Sequence, residues 1–326
     1  MAKFYQHIII PFLSFGVFIG TSCDAPRHNP LDPNNPDYAR GTLSGSVQTV
    51  RVPRQPITDV KVTWEPGRQY TYTDTAGVFY FANPATESGI LRFEKQGYQP
   101  LEEWIEWQSS GTSKDVFLNS DPVVDFFSVV SIVENNYGPR QIEILQIRAD
   151  VQDQEGDIQS VHIRCSPLDI EAELDYNIQH KYFERVFSVI DLGINSMREL
   201  VGYDFDLIVT DESGETYNPV SDGIERVIQD EIEIDSPKNT EEITNPIELK
   251  WMYFNPGFQL TYDIEIYTND DITQDLAWSA TGISADSLSV TVESILEPKE
   301  YFWVIWCVDE FQNKSRSKPG SFEVIP

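Results

Sequence analysis

Carboxylates are the most concentrated reactive groups in this sequence, and they gather where apolar runs end. The two groups are Asp150, Asp153, Glu155 and Asp157, then Asp204, Asp206, Asp211 and Glu212. Calcium takes six to eight oxygen ligands, which acidic loops at domain junctions can supply. The EF-hand spacing is absent, and acidic loops also arise as turn formers and solubilising charge. We therefore favour no cofactor, with calcium as the alternative and Asp150, Asp153, Asp157 and Asp211 as its candidate ligands.

Histidine and cysteine, which often act as bases and nucleophiles, are sparse and poorly placed for catalysis. After the N-terminal segment, the histidines are His28, His162 and His180, and no HExxH pair, GxSxG elbow or P-loop is present. Cys165 and Cys307 lie far apart within apolar runs, as expected for small buried side chains rather than a disulfide framework. We predict no catalytic residue and a protein that is not an enzyme.

Tryptophan is the remaining residue type with a recognisable binding chemistry. Trp104 and Trp107 stand close together, and Trp306 lies in the run 301–308, where both strand faces are apolar. Exposed aromatic pairs can stack on sugar rings, whereas buried ones pack between strands or domains. Trp104, Trp107 and Trp306 are our candidate binding residues, with packing as the favoured alternative for the same side chains.

Short strands must position these side chains, because apolar residues alternate over brief runs that end in turn residues. In the first region the expected strands are 43–50, 60–65, 70–73, 78–81, 89–95 and 114–118. Asp74 and Gly77 are expected to form a tight turn, with Gly77 at positive φ. Phe79 and Phe81 then share one face and fill a core.

Four phrases in this first region resemble the carboxypeptidase regulatory-like domain. They are GSV at 45–47, PI at 56–57 with VKV at 60–62, TDTAGVFYF at 73–81, and FEKQGY at 93–98. The resemblance implies a seven-stranded, prealbumin-like β-sandwich, which we assign to residues 41–121.

The second region, 122–234, resembles an immunoglobulin-like or cadherin-like sandwich. Its expected strands are 142–151, 158–165, 187–192 and 203–210, and the turn phrases DQEGDI and DESGET recur after apolar strands. The stretch 171–185 is compatible with either a helix or a long strand connection.

The third region, 235–326, resembles a fibronectin type III domain. Leu296 and Pro298 lead into Tyr301, although the spacing is one residue shorter than usual in that family. The resemblance implies that the Tyr301 hydroxyl ties down the corner of this domain and that Trp251 is its buried tryptophan. The whole chain is thus predicted to be all-β, with three tandem Ig-like sandwiches.

The N-terminus predicts the cell compartment. Residues 1–22 resemble a lipoprotein signal peptide, with the apolar run 8–20 followed by small residues and then Cys23. We expect Cys23 to carry a lipid, and residues 23–40, rich in Pro and Asn, to form a flexible tether. The prediction is a bacterial envelope lipoprotein, with anchoring in the outer membrane as our preferred assignment and surface exposure or a periplasmic orientation as the two alternatives.

Charge narrows the choice of partner. Without the signal peptide the chain has 22 basic and 53 acidic residues, a formal charge of −31, which repels nucleic acid. We predict a membrane contact through the lipid and a protein or glycan ligand, so that the protein serves in adhesion or binding. The alternatives are a structural spacer or assembly component, and an accessory to a hydrolase on another chain.

Overall fold

The computed structural model describes residues 41–108, 111–138, 141–269 and 274–326, and β-strands dominate every range. The predicted all-β class with β-sandwich domains is confirmed. The helical segments in these ranges are the 3-10 turns Ser166–Leu168 and Met197–Leu200. Neither is long or apolar enough to cross a membrane, nor is any other helix of the described chain. Cys23, with the signal peptide and tether, lies outside the described residues.

The chain divides into two compact units. The first contains the described residues up to 48 together with 56–94 and 100–116, and the second contains 49–55, 95–99 and 117–326. The predicted boundaries near 121 and 234 remain predictions. The second and third predicted sandwiches share one unit, and the reason is a strand pairing described below.

The strands between residues 43 and 118 form two four-stranded sheets. They are β1 (Leu43–Thr49), β2 (Lys61–Trp64), β3 (Gln69–Tyr72), β4 (Val78–Phe81), β5 (Gly89–Glu94), β6 (Leu101–Ile105), β7 (Thr112–Ser113) and β8 (Val116–Leu118). One sheet has the order β4-β1-β7, with β8 also on β1, and the other has the order β3-β2-β5-β6. The sequence had not indicated β6 or β7.

The first unit is held together by apolar side chains from the inner faces of these sheets. Phe79 and Phe81 are both buried, as predicted, and the ring of Phe79 lies 5.6 Å from that of Phe93 on the other sheet. The predicted turn is also present: Asp74 Oδ1 accepts from the N–H groups of Ala76 and Val78, each at 2.9 Å. Gly77 has φ of +72° there.

Strands β9 to β16 form the second sandwich. They are β9 (Val123–Asn135), β10 (Gln141–Gln152), β11 (Ile158–Cys165), β12 (Ile170–Glu173), β13 (Asp175–Asn177), β14 (Tyr182–Ser188), β15 (Asp204–Asp211) and β16 (Thr216–Gly223). Strands β13-β14-β10-β9 face the sheet β12-β11-β15-β16 across an apolar core. The stretch 171–185 therefore holds no helix and contains parts of β12 and β14, all of β13 and a turn at 178–181. The strand expected at 187–192 instead ends at Ser188.

Strands β17 to β25 form the third sandwich. They are β17 (Ile234–Ser236), β18 (Glu241–Ile243), β19 (Glu248–Trp251), β20 (Leu260–Thr268), β21 (Leu276–Ser284), β22 (Ser289–Thr291), β23 (Glu300–Asp309), β24 (Lys314–Arg316) and β25 (Gly320–Val324). The sheet β17-β19-β22 covers a core built around Trp251 and Trp303. The Tyr301 hydroxyl donates to the carbonyl of Glu297 at 3.1 Å, which is the corner that the fibronectin type III resemblance implied.

A strand pairing joins the second and third sandwiches into one ten-stranded sheet. Strand β9 pairs in parallel with β24, so that Ile132 lies opposite Lys314 and Glu134 opposite Arg316. Beside this pairing, Ile132 packs with the outer face of β23, namely Val304, Trp306 and Val308. We call this region the β9–β24 seam. It explains why β23 is apolar on both faces.

Candidate functional site

Antiparallel pairing brings two acidic turns of the second unit together. Residues 153–157 form the turn between β10 and β11, and Asp211 ends β15. Because β11 pairs with β15 so that Ile158 lies opposite Asp211, the two turns meet at one end of the sheet. The N–H of Glu212 donates to the carbonyl of Asp157 at 2.8 Å, which fixes this arrangement.

A serine hydroxyl joins two carboxylates of the first turn. Ser120 Oγ lies 2.9 Å from Asp153 Oδ2 and also contacts Glu155 Oε2. A hydroxyl carries one hydrogen and can donate to only one of these oxygens at a time. One carboxylate oxygen is therefore always left without that donor.

Asp157 is the most buried acid of the turn, with only 5% of its surface exposed. Burial, followed by a carboxyl–carboxyl contact with Asp153 and the charges of Asp153, Asp211 and Glu155, raises its pKa to about 6. Arg51, a basic residue beside the same turn, contacts the carbonyl oxygens of Glu155 and Gly156 rather than these carboxylates. The surroundings of Asp157 are therefore strongly negative.

Asp211 is equally buried but is well supplied with hydrogen-bond donors. Burial opposes its ionisation, yet donation from Ser213, Asn119, the Glu215 N–H and Tyr217 outweighs burial and lowers its pKa. Asn119 Nδ2 lies 2.5 Å from Asp211 Oδ2, so this end of the amide is the NH2 group. Asp211 thus stays ionised and fixes the orientation of the Asn119 side chain.

Three buried oxygens in this region have no hydrogen-bond partner among the described residues. They are Asn119 Oδ1, Glu155 Oε1 and Asp157 Oδ1. We call these residues, together with Ser120, Asp153 and Asp211, the Asp157 cluster. Buried polar atoms without partners are rare in folded proteins and call for a physical explanation.

The cluster differs from the predicted calcium ligand set. Asp153 and Asp211 lie near enough to act on Asp157, but Asp150 lies within β10 opposite Phe126 and is not among the groups acting on Asp157. Strand alternation explains this, because Val151 on the next position enters the core. Within the described ranges, no three Asp, Glu, His or Cys side chains already meet in a metal-binding arrangement. Asn119 and Ser120 were missed because a short polar loop gives no periodic signal.

The predicted aromatic candidates occupy three different environments. Trp104 on β6 is 66% exposed, as binding would require. Trp107 is half-buried, with its ring 6.4 Å from the core residue Trp64. Trp306 is 8% exposed: its Nε1 donates to Glu265 at 2.8 Å, and Lys314 lies over its ring. Trp306 therefore offers no open ring to a ligand, and packing explains it.

Two tyrosines that the sequence analysis did not single out share the outer sheet face with Trp104. Tyr70 and Tyr72 on edge strand β3 are 64% and 54% exposed, and their rings meet edge to face at 6.0 Å. Both appear in the alternating phrase QYTY, whose period of two was the available signal.

The two cysteines of the described residues offer no reactive thiol. Cys165 and Cys307 are free and buried in separate cores. Burial, foremost, raises the pKa of both thiols, that of Cys307 to about 12. A thiol that stays protonated at neutral pH is a poor nucleophile.

Comparisons with known proteins add resemblances but no family. No protein-family description matches the chain, and no curated protein matches it. Fibronectin(III)-like modules of Clostridium thermocellum CbhA match with a TM-score of 0.30 and 8% identity, over 63% of this chain and 93% of theirs. The major pilin subunit BcpA of Bacillus cereus matches with a TM-score of 0.29 and 10% identity, over 87% of this chain and 98% of its own. The FN1–FN3 domains of chicken CNTN1 match with a TM-score of 0.30 and 9% identity, over 82% of this chain and 91% of theirs.

Proposed function

We propose that this protein is a non-catalytic lipoprotein of the bacterial envelope that binds carbohydrate through the outer face of the sheet β3-β2-β5-β6. The observation that carries the proposal is the exposure of Tyr70, Tyr72 and Trp104 on that face. Exposed large aromatics on one surface are typical of binding sites, because single exposed side chains are common but groups of them are not.

The strand register places these rings on one face. Tyr70 lies opposite Thr63, Thr63 opposite Arg92, and the next outward residue on that strand, Ile90, lies opposite Trp104. Strands lie about 4.8 Å apart, so β3 and β6 at the two edges are separated by about 14 Å. The face is thus broad and open, with an aromatic residue near each edge.

Charged side chains between the aromatic edges supply hydrogen-bonding groups. Arg92 lies 3.1 Å from Glu65 and 2.9 Å from Glu102, and Lys61 lies 3.2 Å from Glu94. Each of these side chains is partly exposed, so its remaining donors and acceptors can reach a ligand. Polar groups between flat apolar rings suit a sugar, which has hydroxyls at its rim and C–H groups on its faces.

Isothermal titration calorimetry of the purified full chain against a panel of soluble bacterial and host polysaccharides tests this proposal. We expect Trp104→Ala to weaken the strongest binding by about tenfold or more, equivalent to about 1.4 kcal/mol. Tyr70→Ala is expected to weaken it less. Tyr80→Ala is the matched control, because Tyr80 is also exposed but lies on β4 of the other sheet.

Absence of binding to every polysaccharide, or equal losses for Trp104→Ala and Tyr80→Ala, would reject the carbohydrate proposal. The second candidate is then a spacer or assembly component. It is favoured by the β9–β24 seam, through which one ten-stranded sheet runs across the second and third sandwiches. Such a continuous sheet suits a stiff spacer.

The membrane anchor is proposed only from the sequence pattern of residues 1–23, in which an apolar run and small residues precede Cys23. Incorporation of labelled palmitate into the full chain, and its loss in Cys23→Ser, are the expected results. A non-permeant protease added to intact cells would then remove the C-terminal sandwich if the protein faces outward. Full protection until lysis would indicate a periplasmic orientation.

A further inference from the structure

We propose that the Asp157 cluster is a calcium site, with Asp153, Glu155 and Asp157 as carboxylate ligands and Asn119 as a carbonyl ligand. The proposal is independent of carbohydrate binding. It rests on buried oxygens that lack hydrogen-bond partners, and not on the number of acids in the loop.

The first argument comes from Asp157. Its side chain is at least nine-tenths buried, its Oδ1 has no partner in the described chain, and its carboxyl group faces that of Asp153. Two carboxylates in contact repel each other unless a proton or a cation lies between them. A divalent cation removes the repulsion of the pair and of neighbouring Glu155 together.

The second argument comes from Ser120 and Glu155. The Ser120 N–H donates to Glu155 Oε2 at 3.3 Å, and the single hydroxyl hydrogen serves either Asp153 or Glu155. Neither donor reaches Glu155 Oε1, which is buried without a partner among the described residues. Protonation of Asp157 would satisfy one oxygen of the group. It would leave Glu155 Oε1 and Asn119 Oδ1 as they are, whereas a cation coordinates several oxygens at once.

The third argument comes from Asn119. Its NH2 group is held by Asp211 at 2.5 Å and by the Tyr217 hydroxyl at 3.1 Å, which leaves Oδ1 as an acceptor without a donor. Asp211 is thus a positioning residue for the amide. An amide oxygen combined with three carboxylates is a hard oxygen set, which suits calcium better than zinc or copper.

The turn that carries the three carboxylate ligands is held by its own hydrogen bonds, since Asp153 Oδ1 accepts from the N–H groups of Glu155 and Gly156 at 2.8 and 2.9 Å. Glu155 Oε1 and Asp157 Oδ1 have no hydrogen-bond partner among the described residues, and Asp153 Oδ2 would exchange its contact with the Ser120 hydroxyl for the cation. Water completes a coordination number of six to eight.

The test is calorimetric titration and thermal unfolding of the full chain, purified in detergent and freed of metal with EDTA. We expect CaCl2 at about 1 mM, the upper range for extracellular calcium modules, to bind and to raise Tm by several degrees. Asp157→Asn should weaken calcium binding at least about tenfold. It should also raise Tm in EDTA, because it removes a repelled buried charge.

Two further variants make the outcome specific. Glu155→Gln should weaken binding as well and perturbs a less buried side chain. Asp150→Asn is the matched control, since Asp150 belongs to the same acidic stretch but lies outside the cluster, and its calcium affinity should equal that of the unmodified chain. Overturning results are no calcium heat and no Tm shift, equal shifts with MgCl2 or NaCl, or undiminished affinity in Asp157→Asn.

Discussion

Two buried aspartates of the second unit, Asp309 and Asp157, differ in the groups that surround their carboxylates. Asp309, at the β9–β24 seam, is 3% exposed, and Asp157 is 5% exposed. Asp309 Oδ1 accepts from the N–H groups of Phe311 and Asn313 at 2.9 and 2.8 Å, and Arg226 lies 3.6 Å from its Oδ2. Asp157 has other acids around it instead.

Polar side chains of the seam mostly find partners within it, although Arg316 Nε is buried without a hydrogen-bond partner among the described residues. Asn313 Oδ1 accepts from the N–H of Ser131 at 2.8 Å, and the Ser131 hydroxyl donates to the Arg226 carbonyl or to Asn313 Oδ1. Asn135 Nδ2 donates to the carbonyl of Arg316 at 2.8 Å. Arg316 also lies 3.3 Å from Glu134. The difference teaches that burial alone does not make an acid a ligand. An acid becomes a candidate ligand when the fold buries it and withholds the donors it needs.

The largest predicted effect is the loss of the seam's apolar contacts. Trp306→Ala should lower the free energy of unfolding by about 3–5 kcal/mol, because it leaves a cavity beside Ile132, Val304 and Val308. Urea unfolding followed by circular dichroism measures it. Trp104→Ala, which truncates an exposed ring, should change stability by about 0.5 kcal/mol or less. Equal losses would show that the seam contributes little.

The next prediction tests the comparison of the two aspartates directly. The same substitution, Asp to Asn, should change the free energy of unfolding in opposite directions at the two positions. Burial raises the pKa of Asp309 as well as that of Asp157, so the contrast lies in their partners. Asp309→Asn should destabilise the chain by about 1–2 kcal/mol, because it loses the attraction of Arg226 and the oxygen that accepts from the Asn313 side-chain amide. Asp157→Asn, measured in EDTA at pH 7, should stabilise it by about 1 kcal/mol, because the charge that it removes is surrounded by other acids. Both free energies come from urea unfolding. The same sign for both variants would remove the distinction between the two aspartates.

The smallest predicted effect concerns the urea concentrations at which the second and third sandwiches unfold, which we expect to be equal. Cys165 and Cys307 lie in the cores on either side of the seam. Since one sheet crosses both sandwiches, we expect the two thiols to become reactive toward a thiol reagent at the same urea concentration. Single Cys165→Ser and Cys307→Ser variants separate the two signals. Separate midpoints would show that the sandwiches unfold independently.

The sequence predicted those features that depend on local patterns. The turn at Asp74 and Gly77, the buried pair Phe79 and Phe81, and the corner formed by Tyr301 are all local, and the structure confirms them. Strand β9 was not predicted, although it is 13 residues long, because its apolar and polar residues do not alternate along its length. Its burial is set by β24, which lies far away in the chain.

The candidate sites follow the same division. Both acidic groups were visible in the sequence, and the structure brings Asp153, Asp157 and Asp211 near one another. Membership of the cluster depended on which strand face each acid occupied and on Asn119, which arrives from a separate loop. Likewise, the sequence left binding and packing open for Trp306, because the surface it packs against, around Ile132, lies elsewhere in the sequence.

The parallel pairing of β9 with β24 also constrains the order of folding. Ile132 meets Lys314 across 182 residues, so the outer edge of β9 has no partner until nearly the whole chain has been synthesised. Contacts of such long sequence separation slow folding, and an unpaired strand edge is a template for pairing with other chains. Residues 314–316, which form β24, therefore pair with β9 late in folding and cover its edge. A nascent or truncated chain that lacks them presents an open sheet edge, and its self-association is the hazard that this architecture carries.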